Sequence, residues 1–282
     1  MLKKFFAIIE ETYREAIARK TIVGFFIFST LIILIAFFVF QSSTVKDAMT
    51  KMKETNMSGG KPNMATDMIM VSVLDIFWTV VSAILYFMTV CVGVFATTGF
   101  ITSQMEKGTI DLLLSKPVPR WLYIIGRYTG SLTIILLEVT WFVVGMWVVV
   151  SLSTGSWHVA FLSSISFIML GFAGIYSIVV LISVLSRSSA LSIVIGIGLY
   201  FISGLISLGR GIEKVVATDS KSTLSYIADV LYYVFPQTSD MSGNMKNAIL
   251  GNPIEWMPVL LIVALTSIYV SLSVYAFNKK QF

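Results

Sequence analysis

The chain has 282 residues, 56% of them hydrophobic and only 12% charged, with a mean hydropathy of +0.87. Soluble domains carry about 25% charged residues, so this composition excludes an ordinary soluble globular protein and points to lipid as the solvent. The net charge of +5 does not point to nucleic acid, because the lysines and arginines flank apolar stretches and are better explained by membrane topology.

In chain order, residues 1–20 read as an amphipathic helix. Leu2, Phe5, Phe6, Ile9, Tyr13, Ala16 and Ile17 recur at helical spacing, while Lys3, Lys4, Glu10, Glu11, Arg14 and Arg19 fall mostly elsewhere. Glu10 with Arg14 and Glu15 with Arg19 form acid-first pairs four residues apart. Such a helix lies in the headgroup layer and turns into the first span at Lys20-Thr21. Its charged length and the missing small-x-small cleavage site argue against a cleaved signal peptide.

Six apolar segments are long enough to cross roughly 30 Å of hydrocarbon: Thr21–Phe40, Ile76–Ser103, Tyr128–Ser151, Val159–Leu185, Leu191–Leu208 and Met257–Phe277. The fold class expected is therefore an all-α polytopic membrane protein, with an interface helix (1–20), a six-helix domain (21–277) and a short tail (278–282). Between spans one and two, residues 41–70 read as a polar loop broken by Ser58-Gly-Gly-Lys-Pro62. Trp157 and His158 mark a short turn between spans three and four, and Ser186-Arg-Ser-Ser189 makes spans four and five a tight antiparallel pair. Glycines at 171, 174, 196, 198 and 204 permit close helix approach, and Gly126-xxx-Gly130 has the spacing of a helix-packing motif. The segment 210–256 is longer and holds one helix, with Leu224, Ile227, Leu231 and Val234 on its apolar face and Pro236 as its stop.

Six spans put both termini on one side. That side carries twelve lysines and arginines in short segments, against eight spread over the longer segments 41–70 and 210–256 of the other. Positive charge near span ends marks the cytoplasm, which places both termini and the segment 102–120 inside and the two long segments outside.

Chemistry is sparse. The chain lacks a phosphate loop, a dinucleotide fingerprint, H-E-x-x-H and G-x-S-x-G. Cys91, within a span, forms no internal disulfide, and with one histidine far from it a metal or Cys–His site is not expected. Asp219, Asp229 and Asp240 lack calcium-loop spacing. Met57, Met64, Met68 and Met70 lack matching Cys or His for copper. No metal site, catalytic residue or enzyme activity is expected in this chain alone. Glu138 is the one carboxylate deep within a span; it either lines a substrate path or makes an interhelical hydrogen bond.

The string Glu106-Lys-Gly-Thr-Ile-Asp-Leu-Leu-Leu-Ser-Lys-Pro-Val-Pro-Arg-Trp-Leu-Tyr-Ile-Ile-Gly-Arg127 resembles the inner loop of permease subunits of type-2 ATP-binding-cassette exporters. That family shows E-x-G-T, a leucine-rich stretch, S-x-P-V-x-R and a basic residue shortly after a glycine. The matching positions are Glu106, Gly108, Thr109, Leu112 to Leu114, Ser115, Pro117, Val118, Arg120, Gly126 and Arg127. Among its branches, the chain looks most like the permease linked to maturation of multicopper enzymes such as nitrous-oxide reductase. The resemblance implies a bacterial or archaeal plasma-membrane protein that pairs with a second copy of itself and recruits two separate ATPase subunits, which hold the ATP and Mg. This chain then needs no cofactor of its own. The loop becomes a coupling helix, with Leu112 and Leu113 as apolar anchors, Glu106 and Lys107 as charged contacts, Gly108 and Thr109 at its bend and Arg120 beyond its end. Two other readings stay open: a proton-coupled carrier using Glu138, and a membrane anchor or sensor whose external loops bind a partner.

Overall fold

A helix is the only element that satisfies its own backbone polar groups segment by segment in hydrocarbon, and the computed structural model is built accordingly. It describes residues 1–18, 20–41, 64–103, 119–154, 157–216 and 223–280. Among these the elements are α1 (Leu2–Ala18), α2 (Thr21–Gln41), α3 (Met64–Thr102), α4 (Arg120–Thr154), a 3-10 turn (Val159–Ser163), α5 (Ser164–Ser186), α6 (Ser189–Val216), α7 (Thr223–Val234), α8 (Thr238–Leu250) and α9 (Trp256–Lys279). Six stretches among the described residues are long and apolar enough to cross a bilayer: Ile22–Gln41, Val80–Thr102, Arg120–Ser153, Val159–Ser186, Ser189–Arg210 and Trp256–Lys279. Each overlaps one of the six expected spans.

The ends differ in instructive places. α4 begins at Arg120, well before the expected Tyr128, because the Pro119 carbonyl accepts from the amides of Leu122 and Tyr123 (3.1 and 3.3 Å). Arg120 and Arg127 lie inside this helix; their charges are met by protein partners, so they do not mark a span end. α3 starts at Met64, within the stretch read as a loop, and α6 runs on to Val216. α7 matches the helix expected before Pro236. α8 was not among the expected elements; its polar sequence hides a buried stripe of Met241, Met245 and Ile249 spaced four residues apart.

α5 is the central helix. Of its most apolar stretch 67% is buried, against 11% for α2 and 17% for α9. It packs on α3, α4, α6, α8 and α9, with Ile168, Phe172, Ile175, Tyr176 and Val179 fully buried. Tyr128, Tyr176 and Phe172 stack with nearly parallel rings (10° at 5.5 and 5.4 Å). The α5–α6 turn is as short as expected: Arg187 caps α5 in the left-handed region (φ 55°), its amide donating to the Ser183 carbonyl.

α2 stands apart and leans on α4. Phe26 stacks on Trp141 at 4.8 Å, and the Trp141 indole N–H donates to Thr30 Oγ1 (3.2 Å). Its outer face, including Ile27, Leu31, Leu34 and Phe38, is exposed, as a lipid-facing helix requires. At the end of the bundle away from α1, Trp147 packs edge-on against Trp157 and donates to the His158 carbonyl. His158 Nε2 stands 2.7 Å from the Ile249 carbonyl. A carbonyl only accepts, so that nitrogen carries the proton.

Candidate functional site

The expected coupling residues Glu106, Lys107, Gly108, Thr109, Leu112 and Leu113 lie outside the described residues; Arg120 lies within them. What the structure describes is the frame around that segment, where α3 ends at Thr102 and α4 begins at Arg120.

α1 is laid across the base of α4. At Gly126 and Gly130 the surface of α4 has no side chain, and the ridge Ile8–Thr12 of α1 fills the space. A Cβ on Gly126 would stand 2.9 Å from Ile8 Cγ2, and one on Gly130 would stand 3.1 Å from Thr12 Cβ. Both contacts are tighter than van der Waals packing allows without movement. The GxxxG spacing therefore receives α1, not another span. Of the expected apolar face of α1 only Ala16 is buried, Phe5, Ile9 and Tyr13 are half-buried, and Leu2, Phe6 and Ile17 remain exposed and suit a headgroup layer. The docked ridge is Ile8, Thr12 and Ala16, of which Ile8 and Thr12 were not read as part of that face.

One turn along this contact lies the only arginine that is fully buried among the described residues. Arg127 Nη1 donates to Glu15 Oε2 at 2.6 Å, Nη2 lies 3.4 Å from Glu11 Oε1, and Nε donates to the Tyr123 hydroxyl at 3.1 Å. The guanidinium also sits 5.4 Å from the Tyr123 ring centroid. The other oxygen of Glu15 accepts from Ser103 Oγ at 3.0 Å. Glu15 thus holds, with its two oxygens, Ser103 just past the end of α3 and Arg127 in the second turn of α4. It clasps the two ends between which residues 104–118 connect α3 to α4. A buried charge without a partner costs several kcal/mol, so this clasp is set by necessity once Arg127 is covered by α1.

The sequence reading paired Glu15 with Arg19, which lies outside the described residues; the Glu10–Arg14 pair does form, at 2.7 Å. Glu11, Glu15, Ser103 and Tyr123 were not read as site residues. The available signal was the i, i+4 placement of Glu11 and Glu15 beside Arg127 in the family-like string, which requires knowing that α1 crosses α4. Arg120, expected near the ATPase, turns toward the chain itself: Nη1 donates to the carbonyls of Asn278 and Lys280, each at 3.3 Å.

Glu138 is buried between α2 and α4, and Ser29 Oγ donates to its Oε1 at 2.8 Å. The carboxylate therefore sits in an interhelical hydrogen bond. At the opposite end of the bundle, Asp229 lies 3.5 Å from Arg210 Nε, and the Arg210 guanidinium lies 3.8 Å over the Tyr232 ring. Tyr232 donates to Asp240 Oδ2 at 2.7 Å, and burial together with that hydrogen bond pushes its phenol up to about 12. Asn244 pins the backbone of Glu255 from both sides, donating to its carbonyl (2.8 Å) and accepting from its amide (2.9 Å). Arg210, Tyr232, Asp240, Asn244 and Glu255 line a polar hollow of about 420 Å³; beside it an apolar one of about 340 Å³ is lined by Tyr200, Phe201, Gly204, Leu205 and Leu208.

A family model described as ABC-2 family transporter protein matches residues 6–282, nearly the whole chain. No individual curated protein matches it.

Proposed function

Since the chain belongs to the ABC-2 family of transporter proteins, a family of membrane permease components, we propose that it is the permease subunit of an ATP-driven exporter. Two copies of the chain work with two copies of a separate ATPase subunit. The ATPase binds the segment 102–120 from the cytoplasm, with Leu112 and Leu113 seated in an apolar cleft and Glu106 and Lys107 meeting charges at its rim. Closure of the ATPase on ATP pushes this segment, and the push enters the bundle through α3 and α4.

The single observation that carries this reading is the Glu15 clasp. It ties both ends of the segment to each other and to α1 through Ser103 and Arg127. A push on the segment then moves α1, α3 and α4 together, because separating them would leave a buried guanidinium without its closest carboxylate. The multicopper-enzyme branch rests on the likeness of the loop. Glu138, already hydrogen-bonded to Ser29, is assigned to helix packing and not to proton coupling.

The test is co-purification with the cognate ATPase. Glu106→Arg and Leu112→Asp abolish ATPase binding while membrane insertion and expression stay intact. Undiminished binding by both variants refutes the docking assignment. Labelling at position 109 that succeeds only from outside intact cells refutes the orientation.

A further inference from the structure

The end of the last helix forms a strap between α4 and α5. Lys280 leaves α9 in extended conformation (φ −73°, ψ 122°), its amide still donating to Ala276. Its carbonyl and that of Asn278 accept from Arg120, the first residue of α4. Its side chain reaches the other way: Nζ donates to the carbonyls of Val184 (2.7 Å) and Leu185 (2.9 Å) in the last turn of α5. These carbonyls are among the four that a helix leaves unmet at its C-terminus, where the helix dipole also favours a cation. Burial and the neighbouring Arg187 guanidinium lower the affinity of this amine for its proton.

The strap joins two rigid regions. On one side, Tyr123 of α4 stacks on the fully buried Phe277 of α9 (6.2 Å, 23°) and its hydroxyl accepts from Arg127. This is the clasped base through which α1, α3 and α4 move. On the other side, the end of α5 is tied to the start of α6, Ser183 Oγ donating to Ser192 Oγ at 2.9 Å. α6 is a span with little of its surface buried in the bundle, 28% of its most apolar stretch. α4 and α6 do not pack substantially on each other; residues 278–280 bridge the start of α4 to the last turn of α5 at this end.

We infer that Lys280 is a positioning residue of the transport cycle, carrying displacement of the α4 base at Arg120 to the turn between α5 and α6. This rests on the coupling reading given above. The ammonium acts as the movable end of the strap: it caps α5 whichever way α4 tilts, and pulls the α5–α6 turn along with it. A lysine suits this role because its three donors can hold two carbonyls on a flexible stem.

The experiment uses the full chain in complex with its ATPase, reconstituted in nanodiscs. In a Cys91→Ala background, an environment-sensitive fluorophore is attached at Ala190→Cys, on the exposed start of α6, and in a second preparation at Phe6→Cys on α1. In the otherwise wild-type chain, ATP changes the signal at both sites. Lys280→Met keeps ATPase binding and the response at position 6 but loses the response at position 190, and Lys280→Arg restores it. A full response at position 190 in Lys280→Met overturns the strap and leaves the coupling reading standing. Loss of both responses with normal ATPase binding assigns Lys280 a merely structural role and also overturns it. A chain that binds no ATPase, or shows no ATP response at either site before Lys280 is changed, overturns the coupling reading and the strap with it.

Discussion

Replacing Glu15 by glutamine tests whether the clasp holds α1 on the base of α3 and α4. Arg127 has no exposed side-chain surface, and its 2.6 Å partner Glu15 keeps only 15%. The second carboxylate, Glu11, is 3.4 Å away and 48% exposed, so water already screens it. Removing one member of a buried pair costs about 3–5 kcal/mol. Because Glu11 remains and glutamine still accepts a hydrogen bond, the lower end, about 3 kcal/mol, applies. At about 1.4 kcal/mol per factor of ten, the population with α1 lifted from α4 rises about a hundredfold. α1 is peripheral, so its opening is local. Hydrogen–deuterium exchange of the α1 amides reads it directly: protection around Ile8, Thr12 and Ala16 falls about a hundredfold while that of α5 is unchanged. Glu10→Gln, which breaks only the exposed Glu10–Arg14 pair, leaves exchange near its original rate. Glu15→Leu combined with Arg127→Met recovers most of the protection, since an apolar pair of similar volume replaces a buried ion pair at little cost. Exchange in Glu15→Gln within about threefold of the unmodified chain, when about a hundredfold is expected from the buried charge, would refute the reasoning.

Ser29→Ala leaves the buried carboxyl of Glu138 without its interhelical donor and lowers stability by about 1–3 kcal/mol, read as a drop in unfolding temperature in detergent. Glu138→Gln, whose amide oxygen still accepts from Ser29, keeps the temperature and, on the permease reading, keeps ATP-driven function; loss of function with normal folding would return Glu138 to the substrate path. At the other end, the difference titration between the chain and its Tyr232→Phe variant shows a phenol ionising near 12. The folded-state value lies above the ordinary phenol value near 10, so the stability this group contributes is fully present below that value and is lost as pH rises through about 12. Asp240→Asn, which removes the carboxylate accepting from Tyr232, moves the ionisation back toward lower pH; an unchanged curve would show that the bond is not made.

The helical spans were legible because lipid imposes a one-dimensional constraint: a run of apolar residues of sufficient length is a crossing helix whatever surrounds it. The same holds for the α7 stop at Pro236 and the tight α5–α6 turn at Ser186–Ser189. α4 was read short because charge was taken as a span end, when Arg127 is neutralised by Glu15 and Glu11 from a different helix. α8 went unread because its stripe of Met241, Met245 and Ile249 is diluted by polar residues, of which Thr238 and Asn244 are buried as well. Arg120 matched a family string, but its partners are backbone carbonyls of residues 278 and 280, which no local pattern announces.

Local order along the chain was enough to pick out the six helices long and apolar enough to cross a membrane among the described residues, their approximate limits and the family-like segment between the second and third, because each depends on neighbours in sequence. Which helix lies at the centre, which face of α1 docks, and which carboxylate meets Arg127 were decided only when the helices packed. Those outcomes depend on glycine gaps, buried charges and carbonyls left open at helix ends, and their partners lie up to 160 residues away along the chain.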